Sequence, residues 1–179
     1  MPGYIEVICG PMFGRKTTTL ISRLKTAQKE GHKVMAFKHA NDTRCTESAL
    51  CTHDRLSWAC GIANTAAELD RQLRPDTKMV GVDEVQFFDQ DIVEYAERWA
   101  IAGRRVVLAG LDQDYRGEPF GPMPSLLLCA DVVTKLSAVC VACGDPAIRT
   151  YRITKTPDVV LVGASETYEA RCRVCHRRS

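Results

Sequence analysis

Residues Tyr4–Thr17, YIEVICGPMFGRKT, decide the fold. YIEVIC is rich in apolar and β-branched residues, as expected of a strand buried inside a parallel sheet. GPMFGRKT follows at once, and LISRLKTAQKE then reads as a helix with Leu20, Ile21, Leu24 and Ala27 on one side. Strand, glycine-containing turn, Lys-Thr and helix is the layout of a phosphate-binding loop. Backbone N–H groups of such a turn converge on a polyphosphate, and the helix N-terminus adds the positive end of its dipole. Lys16 is then placed to reach the outer phosphates and Thr17 to ligate Mg²⁺. One position departs from the pattern G-x-x-x-x-G-K-[ST]: Arg15 stands where glycine is expected, and Gly14 comes one place early. Gly14 is able to take up part of the unusual backbone dihedral that glycine would otherwise supply. The competing reading of Gly10 to Thr17 is an ordinary strand-to-helix turn with a solvated lysine.

Working outward, Gly31 ends the helix and KVMAFKH, Lys33 to His39, is a second strand, so the two strands and the helix form a βαβ unit and imply a parallel sheet. Ala40 to Arg55 is a polar loop too long to be a mere connection. Asp42, Arg44, His53 and Asp54 lie in it, and each taken singly is expected to be a solvated surface group. LSWACGIA reads as a further strand, and Asn64 or Thr65 caps a short helix through Leu73. KMVGVDE, Lys78 to Glu84, is an apolar strand ending in an acid. Ligands of a parallel sheet sit at the carboxyl ends of its strands, so Asp83 is expected to face the same site as the phosphate loop and hold Mg²⁺. Adjacent strand residues point in different directions, which frees Glu84 to act as a general base or as a second, outer-sphere carboxylate. Asp89 is expected to cap a helix Gln90 to Ala102 with Ile92, Ala96 and Trp99 inward. RRVVLAG is the next parallel strand, LDQDYRGEPFGPMPS a loop at its carboxyl end, SLLLCA a short helix, and VTKLSAV a strand that completes the α/β body near residue 139.

The remainder changes character. Cys140 and Cys143 form one C-x-x-C pair, and Cys172 and Cys175 a second. Two such pairs at the ends of one short segment point to a structural zinc site, four thiolates closing a hairpin region too small to fold on its own core. A redox C-x-x-C is the competing reading, and His176 is an alternative to Cys175 as fourth ligand. VVLVGASETY between the pairs is an apolar strand running into a loop.

A chain of 179 residues with net charge +2 fits one domain with a small appendage, and that charge is too slight to argue for nucleic acid or an anionic membrane. No apolar run is long enough to span a bilayer, and the first strand starts too close to Met1 for a signal peptide, so the protein is expected in the cytoplasm. Nine cysteines in such a compartment are not expected to be a disulfide framework. Cys9, Cys45, Cys51, Cys60 and Cys129 are expected to be small, partly buried side chains.

With GPMF…KT at Gly10, NDTR at Asn41, CTHD at Cys51, DEVQFF at Asp83, AGLDQDYRGEPFG at Ala109, KLSAVCVACG at Lys135 and LVGASETYEARCRVC at Leu161, the chain resembles the zinc-containing thymidine kinases over nearly its whole length. The resemblance implies a P-loop parallel-sheet nucleotide-binding domain, residues 1–139, and a small zinc-binding domain, residues 140–179, carrying a lasso loop. It implies transfer of the γ-phosphoryl of ATP to the 5′-hydroxyl of thymidine, with Mg²⁺ and a structural Zn²⁺. Gly10, Pro11, Met12, Phe13, Gly14, Arg15, Lys16 and Thr17, with Asp83, Glu84, Val85 and Gln86, would line the ATP side. Thr17 and Asp83 would serve Mg²⁺. Glu84 would accept the proton, and Arg44 would contact phosphate or the 5′-oxygen. Met12, Phe87, Leu111 and Tyr115 match the thymine pocket, and Val159, Val160, Leu161, Val162, Gly163 and Tyr168 the lasso. The metal ligands map to Cys140, Cys143, Cys172 and Cys175. The resemblance further implies a homotetramer inhibited by dTTP, and no direct nucleic-acid or membrane partner. Arg15 raises a competing reading, a weakened or inactive nucleotide-binding homologue. The basic tail RCRVCHRRS raises another, a zinc-ribbon nucleic-acid-binding protein. The segment between Ile153 and Val159 is also shorter than in many relatives, which would constrain the lasso.

Overall fold

The computed structural model describes residues 2–42, 48–52, 56–154 and 166–177. In chain order its elements are β1 (Tyr4–Cys9), α1 (Lys16–Lys29), β2 (Val34–His39), β3 (Ala49–Cys51), β4 (Ser57–Ala59), β5 (Gly61–Ala63), α2 (Ala66–Gln72) and β6 (Met79–Asp83). A single 3₁₀ turn, Val85–Phe87, precedes α3 (Ile92–Ile101), β7 (Arg105–Gly110), α4 (Met123–Cys129) and β8 (Val132–Lys135). The chain then forms β9 (Ala138–Val139), β10 (Pro146–Ala147), β11 (Arg149–Arg152), β12 (Tyr168–Arg171) and α5 (Arg173–Arg177).

Six strands form one parallel sheet in the order β5-β2-β6-β7-β1-β8. This is the α/β architecture expected from the alternating pattern. Because all six run the same way, the segments leaving β1, β6 and β7 emerge side by side at one edge. Alternate residues of the central strands feed two cores. Val7, Val80, Val82 and Leu108 face α3 and α4 through Ile92, Ala96, Trp99, Met123 and Leu126. Ile8, Met79, Val107 and Ala109 face α1 through Leu20, Ile21 and Leu24. A Cβ at Gly81 would lie 2.7 Å from Leu24 Cδ2, so glycine there lets α1 close onto β6. The body is thus covered on both faces, as a parallel sheet requires. Among the described residues no helix is long and apolar enough to cross a membrane.

Several local expectations hold. Thr65 caps α2 by accepting from the Glu68 N–H at 3.2 Å, while the Glu68 carboxylate accepts from the N–H of Asn64, the residue before the cap, at 2.8 Å. Others are corrected. LSWACGIA is two strands: β4 pairs antiparallel with β3, and β5 joins the main sheet beside β2. The helix expected to start at Gln90 under an Asp89 cap begins at Ile92 with Asp91 before it, and Asp89 Oδ1 instead accepts from Ala66 N at 3.5 Å. VTKLSAV breaks after Lys135, and Ala138–Val139 pairs with β10 in a separate hairpin. Asp42 is buried rather than solvated, because the still more deeply buried Lys38 donates to its backbone carbonyl at 3.0 Å and holds its carboxylate at 3.9 Å. Cys51 is disulfide-bonded, not the free small side chain expected.

Candidate active site and metal centre

The turn between β1 and α1 is shaped by residues that only its tertiary setting explains. Gly10 has φ 143°, and a Cβ there would sit 2.4 Å from the Leu136 carbonyl oxygen, so no side chain fits. Gly14 N–H donates to Pro11 O at 3.2 Å and closes the turn. The left-handed dihedrals fall on Phe13 (φ 66°) and Arg15 (φ 61°) rather than on Gly14, which corrects the expectation that Gly14 absorbs the strain. Alternation of left- and right-handed residues turns successive N–H groups toward one concavity, the geometry of an anion nest. Arg15 is exposed and occupies the N-cap position of α1. Lys16 is buried and donates to Pro11 O at 2.8 Å, so the ammonium is held at the turn itself.

The acid-ended strand β6 meets this turn. The Thr17 hydroxyl donates to Asp83 Oδ2 at 2.7 Å, with Asp83 only 1% exposed. A hydroxyl and a carboxylate brought together beside a phosphate cradle fit Mg²⁺, which takes one or two such protein oxygens and completes its shell with phosphate and water. Glu84 follows β6 with φ 52°. It therefore diverges from Asp83 through a left-handed turn and not through strand alternation, and a non-glycine residue held there is a strain of the kind that gathers at functional sites. Glu84 is buried, and its Oε2 accepts from Gln86 Nε2 at 2.6 Å.

Around this pair lie aromatic groups. Phe87 meets Phe120 edge-on at 5.7 Å between centroids, and His39 lies 5.9 Å from Phe87 and 5.0 Å from Phe88. His39 Nδ1 accepts from Asn41 N–H at 3.1 Å, which assigns the proton to Nε2, facing Asn64 O at 3.1 Å. Burial pushes its pKa below the ordinary 6.5, against the smaller opposing pulls of the Asn64 carbonyl, Asp89 and Glu68.

The loop after β7 is fixed by the C-terminal region. The buried Arg152 guanidinium lies 3.9 Å from the centre of the Tyr115 ring, and its Nη2 donates to the Tyr168 hydroxyl at 2.8 Å. Arg149 Nη1 donates to Gln113 Oε1 at 3.0 Å, and His176 Nε2 lies 2.9 Å from Tyr115 O. Within the loop, Asp114 accepts from the N–H groups of Arg116 and Glu118 and from the Arg116 guanidinium. Met12 N–H in the phosphate turn donates to Thr150 Oγ1 at 3.0 Å, 138 residues away in sequence. Thus the structure brings Thr17 to Asp83, Glu84 to Gln86, Leu111 N–H to Gln86, and Tyr115 to Tyr168 through Arg152. Arg44 and Val159 to Gly163 lie outside the described residues, as do His53 and Asp54. Phe120, Thr150 and Arg152 also belong to these contacts, and no motif marks Thr150 or Arg152. An alternating RTYR strand was the available signal for Arg152, but an arginine read alone suggests solvent.

At the far end, Cys140, Cys143, Cys172 and Cys175 place their sulfurs within 4.8 Å of one another. The Cys143 and Cys172 sulfurs are 3.7 Å apart. Thiolates about 2.3 Å from a tetrahedral zinc stand about 3.8 Å apart along an edge, so the donor set fits Zn²⁺. The backbone N–H of Cys172 draws Cys140 down to about 6 and that of Cys175 lowers Cys172, whereas hydrogen bonding to the neighbouring sulfurs raises Cys175 and, against the N–H of Asp145, Cys143. All four are free thiols, which sets aside a C-x-x-C disulfide, and the His176 ring faces Tyr115 instead of the cluster. Phe13 of the phosphate turn packs against the apolar cluster of Cys140, Ala147 and Ala170.

Compared with known protein families, residues 3–176 match the model described as thymidine kinase.

Proposed function

The chain belongs to the thymidine kinase family, and we propose that it transfers the γ-phosphoryl of ATP to the 5′-hydroxyl of thymidine, and of deoxyuridine, supplying monophosphate for DNA synthesis. The observation that carries this reading is the 2.7 Å contact between the Thr17 hydroxyl and the Asp83 carboxylate beside a buried Lys16. Phosphoryl transfer asks a protein for positioning and charge more than for covalent chemistry. Gly10 to Thr17 supply converging N–H groups, and Lys16 exchanges the Pro11 carbonyl for the outer phosphates. Val85 and Gln86 border the ATP side. Thr17 and Asp83 would hold Mg²⁺, which would supply positive charge to offset that of the phosphates. Glu84 accepts the hydroxyl proton, and Arg44 contacts phosphate or the 5′-oxygen. Met12, Phe87, Leu111, Tyr115 and Tyr168 hold the nucleoside, with Val159 to Gly163 closing over it.

Cys140, Cys143, Cys172 and Cys175 hold structural zinc in a domain of residues 140–179, appended to the kinase domain 1–139. We further propose a cytoplasmic homotetramer with dTTP as feedback inhibitor. Half-exposed Val132 and Val133 on the outermost strand β8, together with the exposed Leu128, support association of copies.

Arg15 at φ 61° favours a second reading, a homologue that binds nucleotide and turns it over feebly. ADP release measured with thymidine, deoxyuridine, deoxycytidine, deoxyadenosine and deoxyguanosine separates the two. The proposed function gives turnover with the first two, and ATP binding without turnover favours the second reading. Glu84→Gln is expected to lower kcat by about 10²–10⁴-fold with ATP affinity kept. An unchanged kcat would leave Glu84 as an outer-sphere carboxylate.

A further inference from the structure

Gln86 is 2% exposed, and both ends of its amide are engaged within the protein. Its Oε1 accepts from the Leu111 N–H at 3.0 Å, where β7 gives way to its loop, and its Nε2 donates to Glu84 Oε2 at 2.6 Å. A backbone N–H only donates, so Leu111 fixes which end of the amide is which and leaves the NH₂ facing Glu84. Space for this arrangement is kept by two glycines. A Cβ at Gly110 would lie 2.7 Å from Gln86 Oε1, and a Cβ at Gly121 would lie 2.1 Å from the Gln86 backbone oxygen. Glu84 itself stands in a left-handed turn, where its backbone alone does not determine where the carboxylate points. One carboxylate oxygen is thereby tied, through one amide, to the end of the neighbouring strand.

We propose that Gln86 is a positioning residue that sets the orientation of the Glu84 carboxylate for proton acceptance from the substrate hydroxyl, with the Leu111 N–H as its anchor. The proposal rests on Glu84 being the general base. A residue that acts through Glu84 should lose its effect when Glu84 can no longer accept a proton, whereas a strut joining β6 to β7 should act regardless.

The test is a double-mutant cycle of Gln86→Met and Glu84→Gln, read as kcat, KM for ATP and thermal midpoint. Gln86→Met is expected to lower kcat tenfold or more, with a smaller effect on KM for ATP than on kcat. In the Glu84→Gln background the same change should alter kcat less than twofold. An equal fall in both backgrounds, or no fall in the wild-type background, overturns the proposal while leaving Glu84 as base. An unchanged kcat in Glu84→Gln alone overturns the base assignment and the positioning role with it. Should Gln86→Met not fold, Gln86→Asn keeps both ends of the amide on a stem one methylene shorter, which cannot reach the Leu111 N–H and Glu84 at once. It is expected to lose tenfold or more in kcat, and full activity in that variant overturns the proposal.

Discussion

The parallel-sheet body and the C-terminal region are held by different forces. In the body, Ile8, Leu20, Leu24, Phe37, Val82, Leu108 and Trp99 are essentially inaccessible, and burying a large apolar side chain contributes about 1.5–3 kcal/mol. In the C-terminal region the buried apolar cluster is Cys140, Ala147 and Ala170, while Val139, Val141 and Val174 face outward. Alanines add little, so among the described residues the proposed metal at the four thiols is the main candidate for the difference. A structural zinc contributes about 10–16 kcal/mol in small zinc-binding units, which far exceeds what that cluster offers. The lesson is one of coupling. The region whose described residues bury so little apolar surface supplies Thr150 to the phosphate turn and Arg152 to the loop after β7, so on the proposed zinc reading parts of the candidate active site would depend on a metal.

A cut in the body's core sharpens this contrast most strongly. Leu24→Ala opens a cavity under Gly81 and is expected to cost about 2–5 kcal/mol, a fall in Tm of about 10 °C, with zinc content unchanged by elemental analysis. Loss of zinc in that variant would mean the two regions are not separately held. Next is the link itself. Thr150→Val keeps volume and leaves the Met12 N–H without its acceptor, a loss of about 1–3 kcal/mol that should appear as a raised KM for ATP and not as a lowered kcat for saturating ATP. An unaltered KM would sever the proposed coupling.

Arg15→Gly probes the turn from the body's side. A left-handed arginine costs about 1–3 kcal/mol, partly offset in the variant by glycine's greater unfolded-state freedom. Tm without ligand is expected to rise by about 2–4 °C, and kcat/KM for ATP to rise with it. A tenfold fall in kcat/KM would instead make Arg15 a phosphate ligand in its own right. The smallest effect concerns pH. His39 has a folded pKa below its unfolded value, so the unfolded state binds more protons as pH drops. The stability present above about 6.5 is lost as pH falls from there through the folded value, and His39→Gln should flatten that part of the stability curve measured by denaturant titration. An unchanged slope would show that His39 does not govern it.

Much of this was legible locally. YIEVIC, the Lys-Thr pair and the acid ending VGVD are contiguous signals, and sheet direction follows from βαβ spacing. The cysteine pairs point to a metal site because four soft ligands on one short segment have few other uses, and the structure brings their sulfurs within 4.8 Å of one another. What stayed hidden depends on contacts distant in sequence. Nothing near Thr150 announces that it receives the Met12 N–H, and Asp42 looked solvated because its partner Lys38 is itself a charge. The left-handed turn at Glu84 has no sequence signal, because strand periodicity says nothing about the residue that leaves the strand. Similarly, Gly14 was the natural place for a positive φ by residue type alone, yet close packing of the turn put that conformation on Phe13 and Arg15.

The most direct measurement strips zinc with a chelator while following far-ultraviolet circular dichroism, bound metal and thymidine-dependent ATP turnover together. The account predicts one zinc per chain, retention of most of the helical signal, which resides in the body, and loss of turnover led by a rising KM for ATP. Turnover that survives complete removal of the metal would contradict it.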